Sequence, residues 1–169
     1  TMRTPVVLEG QFELEQKKGV PPETVKVALG FQYTDDPGGE TVSFVNTIMT
    51  RLGGTHISGA RQAFTAALNQ WGQRRKRLKN IKIEGADSVF GQTLVVSALV
   101  PEPQFTSQTK DELASPIRPG VYSVVYNELM SLFEKRPKLG DAIVELCSAA
   151  ATERRATAQA RKLVARRSA

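Results

Sequence analysis

Residues 24–33, TVKVALGFQY, alternate without a break: Val25, Val27, Leu29 and Phe31 fall on one face, and Lys26, Ala28, Gly30 and Gln32 on the other. A period of two marks a β-strand with one apolar face, so this part of the chain must build a sheet. The next seven residues, TDDPGGE, are types that preset or tolerate turn dihedrals, and TVSFVNTIMT at 41–50 reads as a returning strand. Together they predict an antiparallel hairpin over 24–50. An earlier strand at 6–15, VVLEGQFELE, alternates in part and is broken by Gly19-Val20-Pro21-Pro22. A later one at 92–100, QTLVVSALV, is apolar and is ended by Pro101 and Pro103.

After Gly53-Gly54 the period changes to that of a helix. Ala60, Ala63, Phe64, Ala67, Leu68 and Trp71 recur at helical spacing, with Ser58 or Thr55 able to cap the start. Two helices are expected to close the chain. The first carries Val121, Val125, Leu129, Leu132 and Phe133 on one stripe and stops near Pro137, and Pro119 predicts a delayed start. The second is expected to begin at Asp141 as N-cap and to run to about residue 166. Its latter half, ATERRATAQARKLVARR, has few large apolar groups and cannot bury much by itself, which predicts a rod leaving the domain. The expected division is a core at 1–140 and a connecting helix at 141–169.

The 169 residues suit one domain with a sizeable core. The net charge of +6 is uneven. Residues 72–80 hold Arg74, Arg75, Lys76, Arg77 and Lys79 with no acid, and residues 150–169 hold Arg154, Arg155, Arg161, Lys162, Arg166 and Arg167 against Glu153. Two basic segments on a mildly acidic body point to a polyanionic partner, most simply nucleic acid. The plainer alternative is two solvated helix ends, where cations are favoured. The single cysteine, Cys147, excludes an internal disulfide and reads as a small core residue. No secretory leader or membrane-length apolar run is present, which makes the cytoplasm the expected location.

The inventory for catalysis is thin. His56 is the only histidine, no His/Cys/carboxylate cluster has ligand spacing, and RLGGTH matches neither the P-loop nor the dinucleotide pattern. His56 reads as a loop hydrogen-bonder rather than a base. One lysine stands apart: Lys110, at the centre of the polar, turn-rich PQFTSQTKDELASP at 103–116. Most such lysines are simply solvated.

A resemblance gives Lys110 a different reading. SFVNTIMTRLGGTHISGARQAFTAALNQW at 43–71 resembles a segment of bacterial DNA gyrase B and topoisomerase IV subunits, in which Gly-Gly-Thr-His leads into a helix. VPEPQFTSQTKDELASP at 100–116 is similar to the same family's Pro-x-Pro-Gln-Phe…Gln-Thr-Lys segment, and the closing ATERRATAQARKLVARR to its long connecting helix. The match runs over about 24–167, and the two motifs at this separation are far more specific than either alone. The chain departs from the pattern at Leu52, where an acid is usual, and at Val89-Phe90, where Arg-Glu is usual; residues 1–20 match poorly.

The resemblance implies the transducer domain of a type IIA DNA topoisomerase, without the ATP-binding domain before it or the Toprim domain after it. The fold implied is α+β: a mixed sheet backed by helices, with a left-handed βαβ crossover of the ribosomal-protein-like kind, ending in a long C-terminal helix. Gln108 and Lys110 match the loop that reaches the neighbouring ATP site, where the lysine contacts the γ-phosphate. ATP, with Mg²⁺ held mainly by the missing domain, is the implied cofactor, and the isolated chain is expected to be inactive. Implied partners are double-stranded DNA, a gyrase A-like DNA-cleaving subunit and the enzyme's own ATPase and Toprim domains, in a subunit that dimerises at the nucleoid. Arg74, Arg75, Lys76, Arg77, Lys79, Arg154, Arg155, Arg161 and Lys162 are the candidate duplex contacts. The competing reading is a stand-alone nucleic-acid-binding module of the same superfold, which would have no phosphate to sense. A middle domain of another ATPase of the gyrase, chaperone and mismatch-repair superfamily is disfavoured by the Gly-Gly-Thr-His run.

Overall fold

The computed structural model describes residues 2–168. A five-stranded mixed sheet is backed on one face by helices. In chain order the elements are β1 (Val6–Leu14), β2 (Glu23–Tyr33), β3 (Thr41–Val45), β4 (Ile48–Met49), β5 (Gly53–Gly54), α1 (Thr55–Arg74), α2 (Gly85–Ser88), β6 (Gln92–Leu99), β7 (Glu112–Leu113), α3 (Arg118–Lys135) and α4 (Pro137–Arg167). The sheet order is β1-β2-β6-β3-β4, and β5 and β7 form a separate two-stranded ribbon. The α+β reading with a mixed sheet, packed helices and a long final helix is the architecture observed.

The expected 24–50 hairpin is not formed. β6 lies between β2 and β3, antiparallel to the first and parallel to the second. The turn segment instead carries the chain across the start of β6: Thr34 N–H donates to Gly91 O, and Leu94 N–H donates to Glu40 O. Gly39 passes so close that a Cβ there would lie 2.0 Å from the Gln92 carbonyl oxygen. Turn residues set where a chain bends; which strand fills the space it spans is a long-range choice. β6 qualifies for the interior because Leu94, Val96 and Ala98 are fully buried on one face. The hairpins that do form join β1 to β2 and, across the two-residue turn Asn46-Thr47, β3 to β4.

The alternation in β2 has the consequence its period demands. Val25, Val27, Leu29 and Phe31 point into the core with Leu94, Val96 and Ala98, beneath the Ala63, Phe64, Ala67 and Leu68 stripe of α1 and the Val121, Val125, Leu129 and Phe133 stripe of α3. Phe31 meets Phe64 edge-on at 5.1 Å between ring centroids. Burying a side chain of this size is worth about 1.5–3 kcal/mol.

Three helix starts differ from expectation. α1 has Gly54 as N-cap with no side-chain cap: Ser58 Oγ–H donates back to Gly54 O, and Thr55 Oγ1 is engaged elsewhere. α3 starts at Arg118 without delay, because Pro119 sits in the first turn, where no backbone N–H is required. α4 starts at Pro137 rather than at Asp141, again on a first-turn proline. It is one continuous helix of 31 residues, about 46 Å long, so the expected division at 140/141 falls inside it. Gly140, Ile143, Val144, Cys147 and Ala151 are buried against the body, and every residue from Arg155 to Ser168 is exposed. The alanine-rich half is indeed the rod that its composition predicts. No helix among the described residues is long and apolar enough to cross a membrane.

Candidate functional site

After β6 the chain makes a narrow reversal. Phe105 bridges antiparallel to Leu113, and Thr106 N–H donates to Glu112 O. The tip closes through Lys110 N–H to Ser107 O at 3.2 Å, with the Ser107 and Thr109 hydroxyls 2.7 Å apart. Lys110 has φ +58°, in the left-handed region that few non-glycine residues adopt. Gln108, Thr109 and Lys110 are exposed. Neither the Gln108 amide nor the Lys110 ammonium has a side-chain partner among the described residues. The lysine is therefore held by its backbone and left unoccupied at its charge.

The base of this loop sits on the Gly-Gly-Thr-His stretch. Leu52 N–H donates to Asp111 O, and Gly53-Gly54 pair in parallel with Glu112-Leu113. Gly54 has φ +139°, and a Cβ there would lie 2.6 Å from the Leu113 nitrogen and oxygen, so only glycine fits. Thr55 Oγ1–H donates to Ser115 O at 2.6 Å. Sequence separation thus conceals one structural unit: the glycine pair is the seat of the lysine loop.

His56 is not in a loop. It lies in the first turn of α1, fully buried, with Nε2 3.2 Å from Thr50 Oγ1, which in turn lies 2.6 Å from Ser43 Oγ. Nδ1 has no partner among the described residues. Burial pushes the ring's pKa down to about 4, so the imidazole is neutral near pH 7.

The basic candidates fall into two groups. Arg74 pairs with Glu134 at 3.1 Å, and Arg75 grips Asp141 with both Nε and Nη2, at 3.0 and 2.8 Å. Arg77 bonds Asp141 and Glu145, and Trp71 Nε1–H donates to the same Asp141 at 3.1 Å. The Arg75 hydrogen bonds, aided by Trp71 and Arg77, hold the Asp141 carboxyl below the usual carboxylate range. Arg154 grips buried Asp87 at 2.9 and 3.0 Å and also reaches Glu84. Arg75, Arg77 and Arg154 fasten α4 to the end of α1 and to α2, whereas Arg74 ties α1 to Glu134 on α3. Lys76, Lys79, Arg155, Arg161 and Lys162 are exposed with no side-chain partner among the described residues. Lys76 and Lys79 line a cleft of about 550 Å³ between the loop after α1 and α4.

The fastening role of Asp141 is absent from the sequence reading, although a signal for it exists. Asp141, Val144, Cys147 and Ala151 share one helical stripe, which places the carboxylate on the inward face.

The sequence pattern of DNA gyrase B matches residues 3–163. The chain belongs to the DNA gyrase B family. It is 39% identical over 155 residues to the DNA gyrase B protein of Caulobacter vibrioides, covering 90% of this chain and 19% of that protein. To the Thermus thermophilus gyrase B protein it is 37% identical over 145 residues, covering 84% and 23%. The 43K ATPase domain of T. thermophilus gyrase B, solved with an aminocoumarin, superposes with a TM-score of 0.79 at 30% identity, over 96% of this chain and 42% of that one. The topoisomerase IV ATP-binding domain of Francisella tularensis, solved with a small-molecule inhibitor, gives 0.71 at 26%, over 85% and 39%. The chain thus spans about a fifth to a quarter of these gyrase B relatives and less than half of the solved ATPase-region structures.

Proposed function

We propose that this gyrase B family segment is the transducer of an ATP-dependent type IIA topoisomerase, with Lys110 sensing the terminal phosphate of ATP and the helices relaying nucleotide state to a DNA duplex. The observation that carries this reading is an unpartnered ammonium on a tip that is fixed at its base to the start of α1. An ammonium is a compact point charge suited to a terminal phosphate. Gln108, on the same tip, would add a neutral donor. This pair fits one phosphate group and not a whole nucleotide. The base of the nucleotide, its sugar and Mg²⁺ would be held outside this segment. ATP hydrolysis supplies the phosphoryl transfer; what Lys110 does is stabilise charge on the phosphate and lose its contact when that phosphate leaves. A gyrase A-like subunit, a Toprim domain and a second copy of the subunit would complete the enzyme.

The duplex is proposed to meet the unpaired cations rather than the whole basic set. Lys76 and Lys79, with Arg155, Arg161 and Lys162, keep their charge available, whereas Arg75, Arg77 and Arg154 are committed to the fold. Binding by this chain, read by fluorescence anisotropy with a labelled duplex, should be independent of sequence and steeply salt-dependent. Lys76→Glu with Lys79→Glu should weaken it about tenfold or more and make the log–log salt slope shallower by about 2, roughly one unit per lost phosphate contact. Unchanged affinity and slope, in a protein with unchanged melting temperature, would show that these lysines are only solvated surface. The nucleotide half of the reading is tested by replacing Lys110 in the full-length subunit.

A further inference from the structure

We infer that Thr55 is a positioning residue for the lysine loop, setting the register in which Lys110 is presented and joining the loop to α1; this rests on the phosphate-sensing reading of Lys110. The β5–β7 ribbon pairs only two residues on each side. With the Leu52 N–H to Asp111 O bond beside it, so short a ladder holds the loop base at few points. Thr55 Oγ1 adds a side-chain bond at 2.6 Å to Ser115 O, across 60 residues of sequence. Ser115 is the point where both arms of the loop are gathered. Its hydroxyl accepts from Gln104 N–H at 2.8 Å, and Ala114 N–H and Ser115 N–H both donate to Gln104 O, at 2.7 and 3.2 Å. Ser115 is itself buried, with 4% exposure, Thr55 is half-buried, and Gln104 and Ala114 are exposed.

The placement of Thr55 also gives the bond a direction of action. It is the first residue of α1, and α1 runs 20 residues, about 30 Å, to Arg74. Trp71, in its last turn, and Arg75, just beyond its end, grip Asp141 on α4. A pull on the loop tip therefore reaches α1 through Ser115 and Thr55, and α4 through Asp141. The Thr55 hydroxyl makes no helix cap, since Gly54 occupies the N-cap of α1 without a side-chain bond. That hydroxyl serves the loop.

The test uses the full-length subunit that carries this segment, with steady-state ATP turnover measured for Thr55→Val, Thr55→Ser, Lys110→Ala and the Thr55→Val/Lys110→Ala pair. Valine keeps the shape and removes the donor; serine keeps the donor. A small misplacement of a group acting on the reacting phosphate commonly costs a large factor in rate. We expect Thr55→Val to lower kcat about tenfold with KM within about twofold, and Thr55→Ser to restore most of it. In the Lys110→Ala background Thr55→Val should add less than about twofold, because the group it positions is gone. Hydrogen exchange at the hydrogen-bonded loop amides of Thr106, Lys110, Ala114 and Ser115 in this chain should quicken in Thr55→Val while the melting temperature stays within a few degrees. Normal kcat in Thr55→Val beside a collapsed Lys110→Ala would overturn the tether alone. So would a serine variant as slow as valine, or a full additional loss in the Lys110→Ala background. Normal turnover in Lys110→Ala would overturn the tether together with the phosphate-sensing reading beneath it.

Discussion

Lys110→Ala in the full-length subunit is expected to lower ATP turnover by about 10²–10³-fold and to abolish ATP-driven strand passage, with folding and duplex binding retained. Losing one preorganised charge at a reacting oxyanion commonly has this cost. The same substitution removes the group through which nucleotide state would be felt by the body of the domain. Stability should hardly change, because the ammonium is exposed and has no partner among the described residues. Its positive φ of +58° is borne equally by alanine and lysine, so the backbone strain is common to both chains. Lys110→Arg should rescue poorly, since a planar fork does not replace a point charge in a confined site. ATPase and plasmid-topology assays on the same preparations check both halves. Near-normal values in both would return Lys110 to an ordinary surface residue.

His56 should make the fold lose stability in mild acid. Its folded pKa of about 4 lies below the ordinary value of 6.5 because the ring is buried. The unfolded chain takes up a proton as pH falls below about 6.5, whereas the folded chain does not until about 4. The contribution is therefore complete above pH 6.5, shrinks through this window and levels off below it. At about 1.36 kcal/mol per pH unit, the loss between about pH 7 and about pH 4.5 is about 2–3 kcal/mol. That is a sizeable part of the roughly 5–15 kcal/mol typical of a domain. Urea unfolding at the two pH values measures it, and His56→Gln, less stable at neutral pH, should show little of the difference. An equal difference in both proteins would assign the acid sensitivity elsewhere. Asp141 acts in a separate range: its depressed pKa means that its bonds to Arg75, Arg77 and Trp71 are lost only as pH falls below the ordinary carboxylate value of 3.8.

Local pattern made part of this molecule legible. The period of two in β2 and the stripe from Ala60 to Trp71 in α1 each name a buried face, because side-chain direction follows backbone geometry within one element. The poor apolar content after Ala151 likewise shows where α4 must leave the body. What local pattern does not contain is partner choice. The turn chemistry of Thr34–Glu40 could equally have closed a hairpin; only the apolar run of β6, far along the chain, explains why the strands part. Charge counting has the same blind spot. Residues 74–79 and 154–162 look alike as strings of cations, yet Arg75, Arg77 and Arg154 are held by Asp141 and Asp87, while Lys76 and Lys79 are not. Asp141 reads as a cap because Asp begins many helices, but Pro137 starts the helix a turn earlier and turns the carboxylate inward. The pairing of the Gly-Gly-Thr-His and Gln-Thr-Lys stretches is legible only through the family resemblance; their physical junction is the β5–β7 ribbon and the Thr55–Ser115 bond.

Amine footprinting asks directly whether Lys110 touches the terminal phosphate, the contact on which the proposed coupling depends. The full-length subunit would be treated with an acylating reagent without nucleotide, with ADP, and with a non-hydrolysable ATP analogue, and the 103–116 peptide read by mass spectrometry. Lys76 and Lys79, far from the loop in sequence and exposed, serve as internal controls. Lys110 should be protected by the ATP analogue alone and modified as readily with ADP as with no nucleotide. Equal modification of Lys110 in all three states would contradict the contact.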